Sequence, residues 1–143
     1  MKHQPKDTDT FVYHNQNPHN KKTGDCVIRA LSTATGVSYN DVLLGLATIQ
    51  IKYGYQVDCR ECYGKWLKSL GWVQHKQPKK DDGRKYTGRE FCEALWHQEL
   101  DIESDHRIIA HIGTHHVVAI INWQIWDIWN SSGGCIGVYW TKP

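Results

Sequence analysis

One cysteine lies where a protein can make a thiol reactive. Cys26 follows Gly24 and Asp25 and precedes an apolar run, which predicts that it lies in the first turn of a helix. Backbone N–H groups are unpaired at that position and the helix dipole is positive. Both features favour the thiolate, which is the nucleophilic form of cysteine. Asp25 is predicted to cap this helix and to line the site.

A base and an orienting group follow much later in the chain. His116 opens the strand-like run HVVAII, and Asp127 lies in the next run, QIWDIWN. If the turn at Asn122-Trp123 has two residues, the alternation of side chains makes His116 and Asp127 diagonal neighbours on one face, at roughly 7 Å between backbones. Together with Cys26, they would form a nucleophile, a base and an orienting acid.

Two alternatives stay open within this pattern. His115 becomes the base if the strand register slips by one residue. Asn130 becomes the orienting residue if the hairpin turn has an odd number of residues, because a bulge reverses the parity. Trp129 is expected to line the site and to shield the histidine and the acid from water. Taken alone, Cys26 also fits an ordinary core position.

Composition predicts one folded domain and excludes several classes of protein. The 143 residues are 40% hydrophobic, which is enough for a core, so we expect a single domain over 1–143 with a loop or arm over 1–20. The formal charge of +2 gives no strong attraction to nucleic acid. No apolar run approaches the roughly 18 residues of a membrane span, and the N-terminus does not have the pattern of a signal peptide. We therefore expect a cytoplasmic protein without a nucleic-acid or membrane partner.

The chain has five cysteines, an odd number that argues against a disulfide framework. We expect free thiols. The pair Cys59 and Cys62 has the spacing of a zinc half-site, which Cys92 and His97 are the nearest residues to complete. Their spacing fits no standard zinc finger. The sequence therefore predicts neither a metal nor another cofactor.

The elements that must position these residues are predicted by periodicity, capping residues and turns. Four helices are expected, over residues 25–35, 38–53, 59–70 and 87–96. A charged loop is expected over 74–85, and four strands follow, over residues 107–112, 115–121, 124–129 and 135–140. Helices followed by an antiparallel sheet indicate an α+β fold, with the helices packed on the C-terminal sheet.

These residues resemble the papain-like cysteine peptidase superfamily, in which a helix-start cysteine precedes a strand histidine and an acid or amide. The segment HVVAI from His116 is similar to the histidine strand of the family. Asp127 is similar to the acid of the bacteriocin-leader-processing branch. A glutamine of the family, six residues before the cysteine, corresponds here to Asn20, a shorter amide. The segment GDCVIRA is also similar to small uncharacterised phage and bacterial proteins of this kind.

The resemblance implies a papain-like fold and a cysteine hydrolase of the peptidase or amidase type. Cys26 would attack the carbonyl of a peptide or protein substrate, His116 would move protons, Asp127 would orient the imidazole, and Asn20 would help to stabilise the oxyanion. A first alternative is a thiol acyltransferase, or a transglutaminase-like or deamidase-like enzyme, on the same residues. A second is a non-catalytic phage or bacterial binding or regulatory domain. A phage-encoded protein would act in the host cytoplasm. Oligomeric state stays open.

Overall fold

The computed structural model describes residues 4–143 and contains four helices and one six-stranded sheet, which makes the fold mixed α and β. The helices are α1 (Cys26–Thr35), α2 (Tyr39–Tyr53), α3 (Arg60–Ser69) and α4 (Gly88–Trp96). The strands are β1 (Phe11–Tyr13), β2 (Val73–His75), β3 (Arg107–Ile112), β4 (His116–Ile121), β5 (Gln124–Asp127) and β6 (Ile136–Thr141). Among residues 4–143, no helix has both the length and the apolar character that a membrane crossing requires.

The sheet is mixed, whereas the sequence predicted an antiparallel one. Its strand order is β1-β5-β4-β3-β6-β2, and β1 runs parallel to β5 while the other pairs are antiparallel. Strand β1 belongs to the segment that was predicted to be a loop or arm, of which residues 1–3 lie outside the described residues. It contributes the fully buried Phe11 to the core, and its pairing beside β5 makes this edge of the sheet parallel.

The helix boundaries follow the turn and capping signals of the sequence. Gly36 and Gly54 end α1 and α2 in the left-handed conformation, with φ of 77° and 81°. The Ser38 hydroxyl accepts a hydrogen bond from the Asp41 N–H group at 3.1 Å, and Thr87 forms a complete capping box with Glu90. These signals depend on a few adjacent residues, so the helix ends could be predicted from the sequence.

The two faces of the sheet carry two separate hydrophobic clusters. Helices α1, α2 and α3 cover one face, and α4 covers the other. Along β4 the side chains alternate between them, with Val117 and Ala119 in the first cluster and Val118 and Ile120 in the second. Strand β4 is therefore buried on both faces, and α1 packs directly against it. This packing brings the start of α1 to the start of β4.

The hairpin of β4 and β5 has the two-residue turn that the sequence predicted. Ile121 pairs with Gln124, and the turn residues Asn122 and Trp123 have φ of 49° and 66°. Positive φ at both central residues is typical of a type I′ turn, which matches the twist of a hairpin. The predicted parity is confirmed, but β5 ends at Asp127 instead of at residue 129. The Ile128 N–H group ends the ladder because it donates to the Asp127 carboxylate at 2.7 Å.

Candidate active site

Cys26 is the first residue of α1, as the sequence predicted, and its thiol is half-buried against the start of β4. The N–H groups of Cys26, Val27 and Ile28 have no acceptor among residues 4–143. The nucleophile candidate therefore lies beside several free backbone donors at the positive end of a helix.

His116 and Asp127 form the pair that the hairpin geometry predicted. The Nε2 atom of His116 lies 2.6 Å from Oδ2 of Asp127, which is 3% exposed. The indole ring of Trp129 lies against the imidazole, with 4.7 Å between ring centroids. Because Nε2 is engaged by the carboxylate, Nδ1 is the ring nitrogen left for the Cys26 thiol, with which His116 also interacts. The imidazole thus lies between the thiol and the acid.

Burial raises the pKa of the Cys26 thiol, but the contacts with His116, Val117 and Arg29 outweigh it and lower that pKa below its usual 9.0. Burial has the opposite sign for His116, whose contacts with Asp127 and Cys26 raise its pKa from 6.5 to about 9. The two pKa shifts are opposite in direction but have the same consequence. Both favour a thiolate next to an imidazolium at neutral pH.

Arg29 is a site residue that the sequence analysis missed. Its guanidinium group is buried, and Nη1 donates a hydrogen bond to Oδ1 of Asp127, the oxygen that does not face His116. Its Nε atom donates to Oδ1 of Asp25 at 2.7 Å. The signal was present in the sequence, because an acid and an arginine four residues apart on a helix form an ion pair, and Arg29 also lies one turn from Cys26.

Asp25 does not cap α1 through its side chain, which corrects the sequence prediction. It occupies the N-cap position, but its carboxylate makes no capping hydrogen bond. The oxygen atoms instead accept from Arg29, from the Tyr39 hydroxyl at 2.7 Å and from the Asn17 amide at 2.9 Å. Burial would raise the pKa of Asp25, and these three donors together lower it below 3.8. Asp25 therefore positions Arg29, which in turn donates a hydrogen bond to Asp127.

The structure does not bring Asn20 to the site. Its side chain is exposed, its φ is 53°, and its amide oxygen accepts from Asn15 at 3.4 Å. Among the described residues, no hydrogen bond joins Asn20 to Cys26. The role of Asn20 in an oxyanion hole stays a prediction, while the free N–H groups of the first turn of α1 already lie beside the thiol.

The two alternative residues lie near the site without joining the triad. His115 is exposed just before β4, and its neighbour His116 makes the contact with Asp127. Asn130 uses its amide oxygen to accept from the Ser132 N–H group at 3.0 Å, so it stabilises the loop after β5. Both residues line a cavity near the site. The two-residue turn places Asp127, and not Asn130, in contact with His116.

The remaining thiols are free and do not gather into a metal site. Cys62 and Cys92 are buried in different clusters, and the Cys62 thiol donates to the Leu46 carbonyl oxygen at 3.4 Å. Cys59 is half-buried and Cys135 is exposed. In the described range 4–143, no group of three or more histidine, cysteine or acidic side chains could hold a metal ion.

Two cavities border the triad and share His115. A cleft of about 510 Å³, which we call the glycine-rimmed cleft, contains His116, Trp129 and three glycines in its lining. A second cavity of about 580 Å³, which we call the polar cavity, is lined by Val27 and Val117, the neighbours of Cys26 and His116, and by the first turn of α3. The site therefore adjoins two recesses, of which the first is mainly apolar and the second is lined by charged and polar side chains.

Comparison with known proteins finds no matching family model, no matching curated protein and no matching solved structure.

Proposed function

We propose that this protein is a cysteine hydrolase of the peptidase or amidase type with a papain-like arrangement of helix and sheet. The observation that carries the proposal is the position of His116, between the Cys26 thiol and the buried Asp127 carboxylate. The Asp127 carboxylate is already paired with Arg29 through Oδ1, so its Oδ2 contact with His116 is not needed to neutralise its charge. A nucleophile, a base and an orienting acid in one line are the arrangement that a cysteine hydrolase requires.

The mechanism follows from the charge state of the pair. The Cys26 thiolate attacks the substrate carbonyl carbon, an S–C bond forms, and the carbonyl electrons move to oxygen. As the tetrahedral intermediate collapses, the leaving nitrogen takes the proton from the His116 imidazolium, and a thioester remains on Cys26. Neutral His116 then takes a proton from water, which attacks the thioester and releases the acid. Asp127 keeps the imidazole oriented throughout both halves of the reaction.

The negative charge on the carbonyl oxygen needs donors that are in place before the reaction. The free N–H groups of Cys26 and Val27 supply them, since they lie in the first turn of α1 beside the sulfur. Preorganised backbone donors cost no rearrangement when the charge develops. We further propose that the substrate is a peptide or protein in the cytoplasm.

The first test is the pH dependence of thiol alkylation by iodoacetamide, followed by peptide mass spectrometry. Cys135 is an exposed thiol in the same molecule and is the internal control. Cys26 should react faster than Cys135 at pH 6, where an ordinary thiol is protonated. His116→Ala should slow Cys26 and leave Cys135 unchanged. Equal rates for the two thiols at pH 6 would contradict the proposal and favour a non-catalytic binding domain.

The second test is turnover of a mixture of unlabelled peptides, with Cys26→Ser as the matched inactive control. New peptide termini that form only with the wild-type protein would support hydrolysis. Products that form only when an added amine is present would show acyl transfer instead of hydrolysis. A reactive Cys26 with neither product would mean that the peptide or amide substrate is wrong.

A further inference from the structure

The polar cavity has a defined position relative to the reaction. Val27 follows the nucleophile on α1, Val117 follows the base on β4, and both line the cavity. The leaving group must face His116, which donates its proton, and His116 lines the glycine-rimmed cleft and is not among the lining residues of the polar cavity. A substrate whose leaving group occupies that cleft would therefore extend its acyl side into the polar cavity. This step rests on the proposed function.

Tyr63 contributes an unused hydrogen-bond donor to this cavity. The residue is 2% exposed, and its ring packs edge-on against Trp140 with 5.3 Å between centroids. Its hydroxyl has no partner among residues 4–143, yet it is not one of the polar atoms that are sealed from solvent. Water can reach this hydroxyl in the free protein, so a ligand that displaces the water must supply an acceptor in its place. Burial also raises the pKa of Tyr63, so the hydroxyl keeps its proton.

The wall of the cavity offers both donors and acceptors. The backbone N–H groups of Arg60 and Glu61 begin α3 without an acceptor in the described chain. The carboxylates of Asp58 and Glu61 and the guanidinium of Arg60 line the same space. A carboxylate ligand would pair with Arg60 but meet two acids, and an ammonium ligand would pair with the acids but meet Arg60 and leave the Tyr63 hydroxyl unpaired. A neutral carboxamide accepts from the hydroxyl and donates to the acids.

We infer that the polar cavity binds the acyl-side residue of the substrate and selects a carboxamide side chain, whose oxygen accepts a hydrogen bond from Tyr63. The substrate class is thus a peptide with glutamine or asparagine on the acyl side of the bond that is cleaved. The apolar remainder of the substrate would extend along Val27 and Val117.

The test compares dipeptide chloromethyl ketones that differ only in the residue next to the reactive carbon. In each reaction the Cys26 sulfur forms a bond to the methylene carbon and chloride leaves. The probes carry glutamine, leucine, glutamate or lysine, and labelling of Cys26 is followed by intact-protein mass spectrometry. We expect the glutamine probe to react about tenfold faster than the leucine probe. The glutamine side chain accepts a hydrogen bond from the Tyr63 hydroxyl, whereas the leucine side chain leaves that hydroxyl unpaired.

Tyr63→Phe removes the hydroxyl and should reduce the ratio of glutamine to leucine rates to near one. Tyr86→Phe is the matched control, because Tyr86 packs with Phe91 on the other face of the sheet, and it should keep the wild-type ratio. All probe rates are divided by the iodoacetamide rate of the same variant, which removes changes in thiol reactivity. The melting temperature should not fall in Tyr63→Phe, since no partner is lost.

Different results would overturn the proposed hydrolase and the carboxamide selectivity. If Cys26 reacts with iodoacetamide no faster than Cys135 at pH 6, the proposed hydrolase fails. If Cys26 is reactive but the leucine, glutamate or lysine probe is as fast as the glutamine probe, the hydrolase survives and the carboxamide inference is overturned. Glutamine selectivity that persists in Tyr63→Phe, or a lower melting temperature in that variant, overturns it as well.

Discussion

Replacement of Arg29 by methionine is expected to destabilise the fold strongly, because one guanidinium group serves two buried carboxylates. Asp25, Arg29 and Asp127 are 8%, 5% and 3% exposed. Methionine keeps an unbranched side chain of similar reach but removes the charge and the donors. The variant would leave both carboxylates in the interior without their shared cation.

The size of the loss can be worked out from the remaining contacts. Removal of one partner from a buried ion pair typically costs about 3–5 kcal/mol. Asp25 keeps its hydrogen bonds from Asn17 and Tyr39, and Asp127 keeps those from His116 and the Ile128 N–H group. These donors compensate in part, so we expect a loss near the lower end, about 3 kcal/mol. A domain of ordinary stability, about 5–15 kcal/mol, would still fold.

The pH dependence of this loss provides a sharper test than its size. In the wild-type protein the pKa of Asp25 is below 3.8, so its stabilising contribution is present above that pH and is lost as the pH falls through the folded value. Without Arg29, burial of Asp25 is less fully opposed and its pKa rises. The deficit of Arg29→Met should therefore be largest at neutral pH and shrink as the pH falls and the Asp25 carboxylate takes up a proton.

The assay is urea unfolding followed by circular dichroism at pH 7 and pH 4.5. Arg107→Met is the matched control, because Arg107 pairs with Asp105 at the surface, where the side chains are 36% and 39% exposed. Exposed pairs contribute at most about 1 kcal/mol. Arg29→Lys should lose less than Arg29→Met, since a lysine keeps the charge but cannot serve both carboxylates equally. A loss below that of Arg107→Met, or one that is equal at both pH values, would refute the reasoning.

Three further predictions follow from the site and the fold. Asp127→Asn removes the charge next to His116, so the pKa of the imidazole should fall from about 9 toward 6.5, measured by NMR titration of the ring protons; an unchanged pKa would exclude Asp127 as the main partner. Peptide turnover should fall as the pH rises through about 9, because the leaving group then loses its proton donor, whereas alkylation of Cys26 should persist there; a parallel fall of both rates would contradict the assigned roles. Thr87→Ala removes the capping box of α4 and should lower the free energy of unfolding by about 1 kcal/mol without changing Cys26 alkylation, since α4 lies on the far face of the sheet; slower alkylation would show that the two faces are coupled.

The parts of the fold that could be predicted are those with local signals. The helix ends at Gly36 and Gly54, the capping residues Ser38 and Thr87, and the even turn of the β4–β5 hairpin all depend on a few adjacent residues. The parity of that hairpin was enough to predict the contact of His116 with Asp127. Triad residues on neighbouring strands are therefore accessible to sequence reasoning.

The short strands β1 and β2 could not be predicted, because three residues are too few for an alternating pattern. Strand β1 is defined by its partner: it pairs with Ile125, Trp126 and Asp127 of β5, far away in sequence. Strand β2 similarly pairs with the end of β6. Both edges of the sheet therefore depend on tertiary contacts, and the parallel pairing of β1 makes the sheet mixed instead of antiparallel.

The role of Asp25 shows why a correct local pattern can give a wrong contact. An aspartate before a helix is a good capping residue, but here three donors from other parts of the fold compete for its carboxylate. One is Arg29 on the same helix, one is Tyr39 on α2, and one is Asn17 in the N-terminal segment. Arg29 also binds Asp127. Because the Asp25 carboxylate is engaged by these donors and does not cap the helix, the first N–H groups of α1 stay free beside Cys26. The contact of Asp25 with Arg29 thus replaces the helix cap, and it leaves backbone donors at the place where the proposed reaction develops negative charge.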